Sequence, residues 1–221
     1  MKVCVIIPAY NEANKITNII SGVKEQGFLA LVVDDGSKDS TAQIAAQSGA
    51  VVLSNLANEG KGVSLKNGFA YALKNDYDAV ITMDGDGQHL PEELAHFIDS
   101  AQKSAAGIFI GNRMSNSRNM PWERFITNKF MSWLISRITG QNIPDTQCGY
   151  RLIKKEVLQK LYLKTNKFEV ESEILIQAAR LGFRIETLPV KTVYNGTKSQ
   201  INPLFDAFRF SRYILKVIAG N

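Results

Sequence analysis

Apolar and polar positions along this chain follow two rhythms, and the first is a series of short apolar runs. Val3 to Ile7, Leu29 to Val33, Ala50 to Leu53, Ala79 to Thr82 and Gly107 to Ile110 are nearly free of polar residues and mostly β-branched or small. Such runs read as strands of a parallel sheet, buried on both faces. Between them the period changes to that of a helix. Ile16, Ile19, Ile20 and Val23 share one face, Ala45 and Ala46 a second, and Leu65, Phe69 and Leu73 a third. Asn11 is placed to cap the first helix and Gly27 to close it. Asp39 or Ser40 opens the second, and Pro91 with Glu92 and Glu93 starts the helix after the fourth strand. Five strands alternating with helices predict an α/β fold with a single doubly wound, mostly parallel sheet.

The second half is less regular. Residues 121–139 predict a helix with Trp122, Phe125, Ile126, Phe130, Trp133, Leu134 and Ile138 on a broad apolar face. Its polar side carries Arg124, Asn128 and Lys129. A loop follows from Ile143 to Arg151, then a short helix from Lys155 to Leu161. Phe168 to Glu173 opens a further helix that Gly182 stops, and its acids complement the helix N-terminus. Arg184 to Val190 reads as a strand, and Thr192 to Ser199 as a basic, turn-rich loop. The last stretch, Pro203 to Ile218, reads as an amphipathic helix: Leu204, Phe205, Phe208, Leu215 and Ile218 are apolar, and Arg209, Arg212 and Lys216 share one cationic face. A basic amphipathic helix lies on a membrane or a partner, or packs on the core with its charges solvated.

Composition narrows this picture. With 221 residues, 45% hydrophobic and 21% charged, the chain is long enough for one domain with a full core. No apolar stretch approaches the length of a membrane span, and the first run, ended by Pro8, is too short for a signal peptide. Two cysteines, Cys4 and Cys148, make no disulfide framework and suggest a reducing compartment. The net charge of +5 hides an asymmetry: residues 1–112 hold 8 Lys and Arg against 13 Asp and Glu, and residues 113–221 hold 18 against 8. A basic second half suggests an anionic partner: nucleic acid, an anionic membrane surface or a phosphorylated substrate. The interleaved aromatic and basic platform of a nucleic-acid binder is missing, so nucleic acid is set aside.

The candidate chemistry lies just after the strands: Tyr10 and Glu12, Asp34 and Asp35, Asn58 and Lys61, Asp84 and Asp86, and Arg113. Open α/β sheets bind ligands along that edge. In Asp84-Gly85-Asp86-Gly87-Gln88-His89, two carboxylates two residues apart share one side of an extended chain. They suit Mg²⁺ or Mn²⁺ shared with phosphates, or make an ordinary acidic turn. The chain has neither G-x-G-x-x-G after its first strand nor a G-x-x-x-x-G-K-[ST] loop. A nucleotide would therefore bind by another route, with a metal on its phosphates.

Five motifs in order at successive strand ends carry a resemblance: Pro8-Ala9-Tyr10-Asn11-Glu12, Asp34-Asp35-Gly36-Ser37, Asn58-Glu59-Gly60-Lys61-Gly62, Asp84 to His89, and Gly111-Asn112-Arg113. Asp145 to Arg151 and Glu171-Ser172-Glu173 extend it. The chain resembles family-2 glycosyltransferases of the GT-A fold, and among them the polyprenyl-phosphate sugar transferases such as dolichyl-phosphate mannose and glucose synthases. The resemblance implies that Pro8, Tyr10, Glu12 and Asp35 line a base and ribose pocket, with Asp34 and Lys61 nearby. It implies that Asp84, Asp86 and Gln88 hold a divalent metal, and that Arg113 and Arg124 grip an acceptor phosphate. Asn128 stands where the family often has serine. Asn195 lies near the place of a common arginine, which makes Lys198 the candidate cation of that loop.

Residues and resemblance together imply an inverting transfer of a hexose from a nucleoside-diphosphate sugar to a polyprenyl phosphate. The implied setting is peripheral, on the cytoplasmic face of a membrane, with a membrane-protein partner as one means of docking. Asp86 and Arg113 would stabilise developing charge. Asp145 is the base if one is used, or simply a turn residue. The division implied is residues 1–113 for the nucleotide sugar, 114–200 for the acceptor and 201–221 for the basic helix. Two rivals remain: a same-fold enzyme acting on a glycan or another lipid, which would need the base, and a non-catalytic nucleotide-sugar-binding subunit.

Overall fold

The apolar runs pair side by side in the computed structural model, in which residues 1–116, 120–191 and 203–218 are described. The strands are β1 (Val3–Ala9), β2 (Leu29–Asp34), β3 (Val51–Ser54), β4 (Ala79–Thr82), β5 (Ile108–Asn112), β6 (Arg151–Lys154) and β7 (Ile185–Pro189). They form one sheet in the order β3-β2-β1-β4-β6-β5-β7. Among the described pairings all are parallel except those of β6, which runs antiparallel to both β4 and β5. The helices are α1 (Ile16–Glu25), α2 (Thr41–Gln47), α3 (Lys61–Lys74), α4 (Leu94–Lys103), α5 (Trp122–Thr139), α6 (Lys155–Leu158), α7 (Val170–Arg180) and α8 (Pro203–Ile218). Every residue from Val3 to Ile7 and from Ala30 to Val33 is buried, as two-sided burial of a central parallel strand requires.

Two local expectations are corrected. Strand β6 takes Arg151 from the expected loop and three residues that the sequence pattern assigns to no element, because an apolar pair, Leu152-Ile153, between charged ends is too short to show a period. Asn11 does not cap α1. It adopts φ 55°, accepts from the Lys38 N–H at 2.8 Å and donates its own N–H to Ser37 Oγ at 2.9 Å, tying the loop after β1 to the loop after β2. Asn is among the few residues that enter this left-handed region at small cost. The broad apolar face of α5 divides, with Leu134 and Ile138 packed against the core. Ser132 and Ile135 are buried, whereas Trp122, Ile126, Phe130 and Trp133 are between 55% and 68% exposed.

Helix α8 packs on the body of the protein. Phe210, Ile214 and Val217 are buried, and the Val217 carbonyl accepts from Arg180 Nη2 at 2.9 Å. Arg209, Arg212 and Leu215 are exposed. Asn195 and Lys198 fall outside the described residues. Among those described, no helix is long and apolar enough to cross a membrane.

Candidate active site

Strand β4 delivers a tight acidic turn to the edge of the sheet. Asp86 accepts from the Gln88 N–H at 3.0 Å and from Gln88 Nε2 at 2.7 Å, with Gly87 at φ 77° closing the turn. Gln88 thus orients Asp86. Asp84 donates its N–H to His89 Nδ1 at 3.0 Å, which defines the neutral imidazole with its proton on Nε2. His89 is buried and stacked on Tyr150, whose hydroxyl donates to the Leu90 carbonyl at 2.9 Å. Burial lowers the proton affinity of His89, although Asp84 and Asp86 pull the other way.

Beside this turn lies a chain of buried charges. Lys61, the first residue of α3, places Nζ 2.5 Å from Asp84 Oδ1 and 2.5 Å from Glu171 Oε1. Glu171 Oε2 also meets Arg151 Nη2 at 3.3 Å. Arg151 is 1% exposed and donates in addition to the carbonyls of Thr146, Cys148 and Glu171. Burial opposes the charge on Lys61, but Asp84 and Glu171 outweigh it and hold the ammonium above its ordinary range. Burial likewise penalises the Asp84 carboxylate, and the Lys61 ammonium, with Arg113 behind it, holds it well below the usual carboxylate range. The acids of α7 are therefore not mere complements to a helix end. Glu171 is a partner of Lys61, and Glu173 accepts from the N–H groups of Lys164 and Thr165 and from the Thr165 hydroxyl.

Gly149 lets these groups meet. A Cβ there would stand 2.8 and 2.9 Å from the Asp84 carboxylate oxygens and 3.0 Å from Lys61 Nζ. Gly149→Ala is expected to fold, since the clash falls on side-chain tips, yet to lower kcat by about tenfold or more through a misplaced Asp84. Steady-state rates alongside a melting curve check this, and a fully active variant would refute it.

The loops after β1 and β2 form the neighbouring wall. Asp35 accepts from Asn55 Nδ2, the Glu59 N–H and the Gly60 N–H at 2.7–3.0 Å, so it braces the loop before α3. Asp34 accepts from the Ser37 N–H at 3.2 Å, while its buried Oδ1 has no hydrogen-bond partner among the described residues. That oxygen is an open acceptor of the kind an N–H of a nucleobase fills. Pro8, Tyr10 and Glu12 are half-buried nearby. Burial raises the Glu12 pKa, with Lys15 opposing and the negative charges of Asp86 and Asp39 adding to the rise.

Just after β5 comes Arg113, which makes a two-pronged pair with the fully buried Asp145: Nε to Oδ2 at 2.8 Å and Nη2 to Oδ1 at 2.9 Å. The Arg113 N–H also reaches Oδ2. Both carboxylate oxygens are committed, an arrangement that positions an arginine rather than one that takes a proton from a substrate. Thr146, next in sequence, bonds Ser132 of α5 at 2.9 Å through its N–H. Arg124 and Asn128 precede Ser132 by two turns and one turn on the same face. The pair Arg113–Asp145 and this polar row of α5 therefore share one support, whereas the placement of Lys198 is not described.

Three comparisons with known proteins bear on this geometry. The model of glycosyl transferase family 2 matches residues 4–162. The chain belongs to that family.

Relatives of this glycosyltransferase include UDP-N-acetylglucosamine–dolichyl-phosphate N-acetylglucosaminyltransferase of Methanococcus voltae, 29% identical over 86% of this chain and 84% of that protein. Polyprenol monophosphomannose synthase of Mycolicibacterium smegmatis is 30% identical over 84% of this chain and 75% of that protein. Among solved structures, glucosyl-3-phosphoglycerate synthase of Mycobacterium tuberculosis, in complex with Mn²⁺, UDP and glucosyl-3-phosphoglycerate, superposes with TM-score 0.74 at 20% identity. That match covers 99% of this chain and 79% of the other and shows the shared GT-A fold.

The family's divalent ion can be tested against these residues. Among the described residues no three His, Cys, Asp or Glu side chains form a protein metal cage. Asp84 and Asp86 supply two hard carboxylates at an open edge, the number that suits Mg²⁺ or Mn²⁺ completed by phosphates. The residues fit on that basis. His89, Gly149, Tyr150 and Arg151 lie inside the motifs that carry the resemblance, yet sequence reasoning assigned them no role in this glycosyltransferase's site.

Proposed function

We propose that this enzyme moves a hexose, with inversion, from a nucleoside-diphosphate sugar to a polyprenyl phosphate at a membrane surface. The observation that carries the reading is the two-sided character of α5. One face holds Arg124, Asn128 and Ser132 and leads to the Arg113–Asp145 pair. The opposite face exposes Trp122, Ile126, Phe130 and Trp133, with Arg137 5.9 Å from the Trp133 ring. Aromatic residues edged by cations suit the headgroup layer of an anionic bilayer. A phosphate presented there would meet Arg113 and Arg124 while its lipid tail stays in the membrane.

The likeness to enzymes named for dolichyl and polyprenol phosphates supports the same acceptor. In this reading residues 1–113 bind the donor, residues 114–200 the acceptor, and 201–221 add a basic helix. Asp34 accepts a base N–H, and Pro8, Tyr10 and Glu12 flank base and ribose. Asp84 and Asp86 hold the divalent ion, with Gln88 orienting Asp86. When bound, that ion supplies Lewis-acid stabilisation to the leaving diphosphate. Lys61 adds a second positive charge beside the phosphates. The acceptor phosphate is already an anion at neutral pH, so Arg113, set by Asp145, has to orient it rather than deprotonate it. This favours a phosphate acceptor over a sugar hydroxyl, which needs a free base.

The test offers GDP-mannose, UDP-glucose and UDP-N-acetylglucosamine, each radiolabelled, to vesicles containing polyprenyl phosphate, with Mn²⁺ or EDTA. Metal-dependent label in the organic phase is expected, and it should fall at least tenfold when Phe130 and Trp133 are both changed to Ser. Label released only as free sugar, or transferred equally to soluble acceptors, would overturn the acceptor assignment.

A further inference from the structure

Five ionisable groups crowd the donor edge: Asp84, Asp86 and Glu171 are negative, Lys61 and Arg151 positive. The ammonium of Lys61 lies between Asp84 and Glu171, 2.5 Å from each, and Gly149 packs against both it and Asp84 with no room for a Cβ. Asp84 is thus already matched by an internal cation, and a divalent ion arriving at its carboxylate meets a positive charge at contact distance. The cluster carries one net negative charge. A divalent ion alone would leave it positive, and an ion together with a diphosphate would leave it negative again.

We propose that Lys61 is a resident counter-cation of Asp84 which the divalent ion displaces, and that Glu171 retains the displaced ammonium inside the site, where it turns to the incoming diphosphate. This rests on the metal-dependent reading above. Two consequences follow from charge alone. Divalent ion on its own binds weakly, because it must compete with Lys61. Ion and nucleoside diphosphate bind each other's complex far more tightly, because the phosphates accept both the metal and the released ammonium. The site therefore loads as a metal–nucleotide complex and stays guarded against free metal. Glu171 is a positioning residue in this scheme, acting through Lys61.

The experiment is Mn²⁺ titration of the purified full chain, followed by the free-ion EPR signal, with and without UDP or GDP. Lys61→Gln is expected to tighten Mn²⁺ binding in the absence of nucleotide by about fivefold or more and to shrink the enhancement that nucleotide confers. Glu171→Gln is expected to do the reverse to Mn²⁺ alone, since Lys61 is then left with Asp84 only. Lys66→Gln removes one positive charge from the same helix, where Lys66 bonds Asn166 instead, and should change nothing. If wild type binds Mn²⁺ and Lys61→Gln binds it equally or more weakly, the counter-cation proposal falls and the metal reading stands. If neither protein binds Mn²⁺ with or without nucleotide, the metal reading falls and takes this proposal with it. Melting curves accompany each variant, and should Glu171→Gln fail to fold, the Lys61→Gln result decides alone.

Discussion

Asp86→Asn is expected to lower sugar transfer by about two to three orders of magnitude and to leave thermal stability almost unchanged. The two halves of that expectation come from the same geometry. Asp86 is half-buried, and both hydrogen bonds to its carboxylate come from Gln88, two residues away in the same turn. Asparagine keeps an acceptor for the Gln88 N–H, so the turn loses little. What disappears is a full negative charge at the place where a divalent ion and a diphosphate would be held, and charge there acts on the transition state rather than on folding. Initial rates with each nucleotide sugar, together with a melting curve, check the prediction. A variant retaining more than a tenth of wild-type turnover would remove Asp86 from the catalytic machinery, and a large fall in Tm would mean that its role is structural.

Arg151→Met is expected to show the opposite pattern, with stability as the first casualty. Arg151 is enclosed and satisfies three backbone carbonyls as well as the Glu171 carboxylate. Methionine matches its length and none of its donors. The change leaves three carbonyls without their bonds and Glu171 with Lys61 alone, and breaking a buried pair in this way costs about 3–5 kcal/mol. For a chain of this size that corresponds to a fall in Tm of about 10 °C. Denaturant unfolding measures it directly. The double variant Arg151→Met/Glu171→Gln should lose less than the sum of the two single losses, because each single change strands the other's charge. Strict additivity would show that the two residues are not coupled.

Most of the sheet is legible in the sequence, for a simple reason. Central parallel strands are buried on both faces, so they print themselves as unbroken apolar runs, and β1, β2, β4 and β5 are such runs. Asp84, Asp86, Asp34, Asp35 and Lys61 are legible for a related reason: a motif at the end of a strand needs only a few residues of local chain to reach its place. Strand β6 is not legible. Its existence depends on β4 and β5 offering free edges to Leu152-Ile153, and those edges belong to residues about 40 to 75 positions away.

The same distinction separates the residues of the site. Local sequence is enough to make an acidic, glycine-bounded turn after β4, since only Gly and short polar residues suit that backbone. It cannot say that Glu171 meets Lys61, that Arg113 is clamped by Asp145, or that His89 takes the Asp84 N–H while stacking on Tyr150. Each of these depends on how β6, α5 and α7 close over the sheet, which no local stretch of chain encodes. Helix α5 gives the plainest case. Its sequence shows many apolar residues, and a period alone does not say whether they meet the core or a surface. Only packing shows that Ser132 and Ile135 face inward while Trp122, Ile126, Phe130 and Trp133 face out. A helical period describes which residues share a face, and the rest of the fold determines which face is covered.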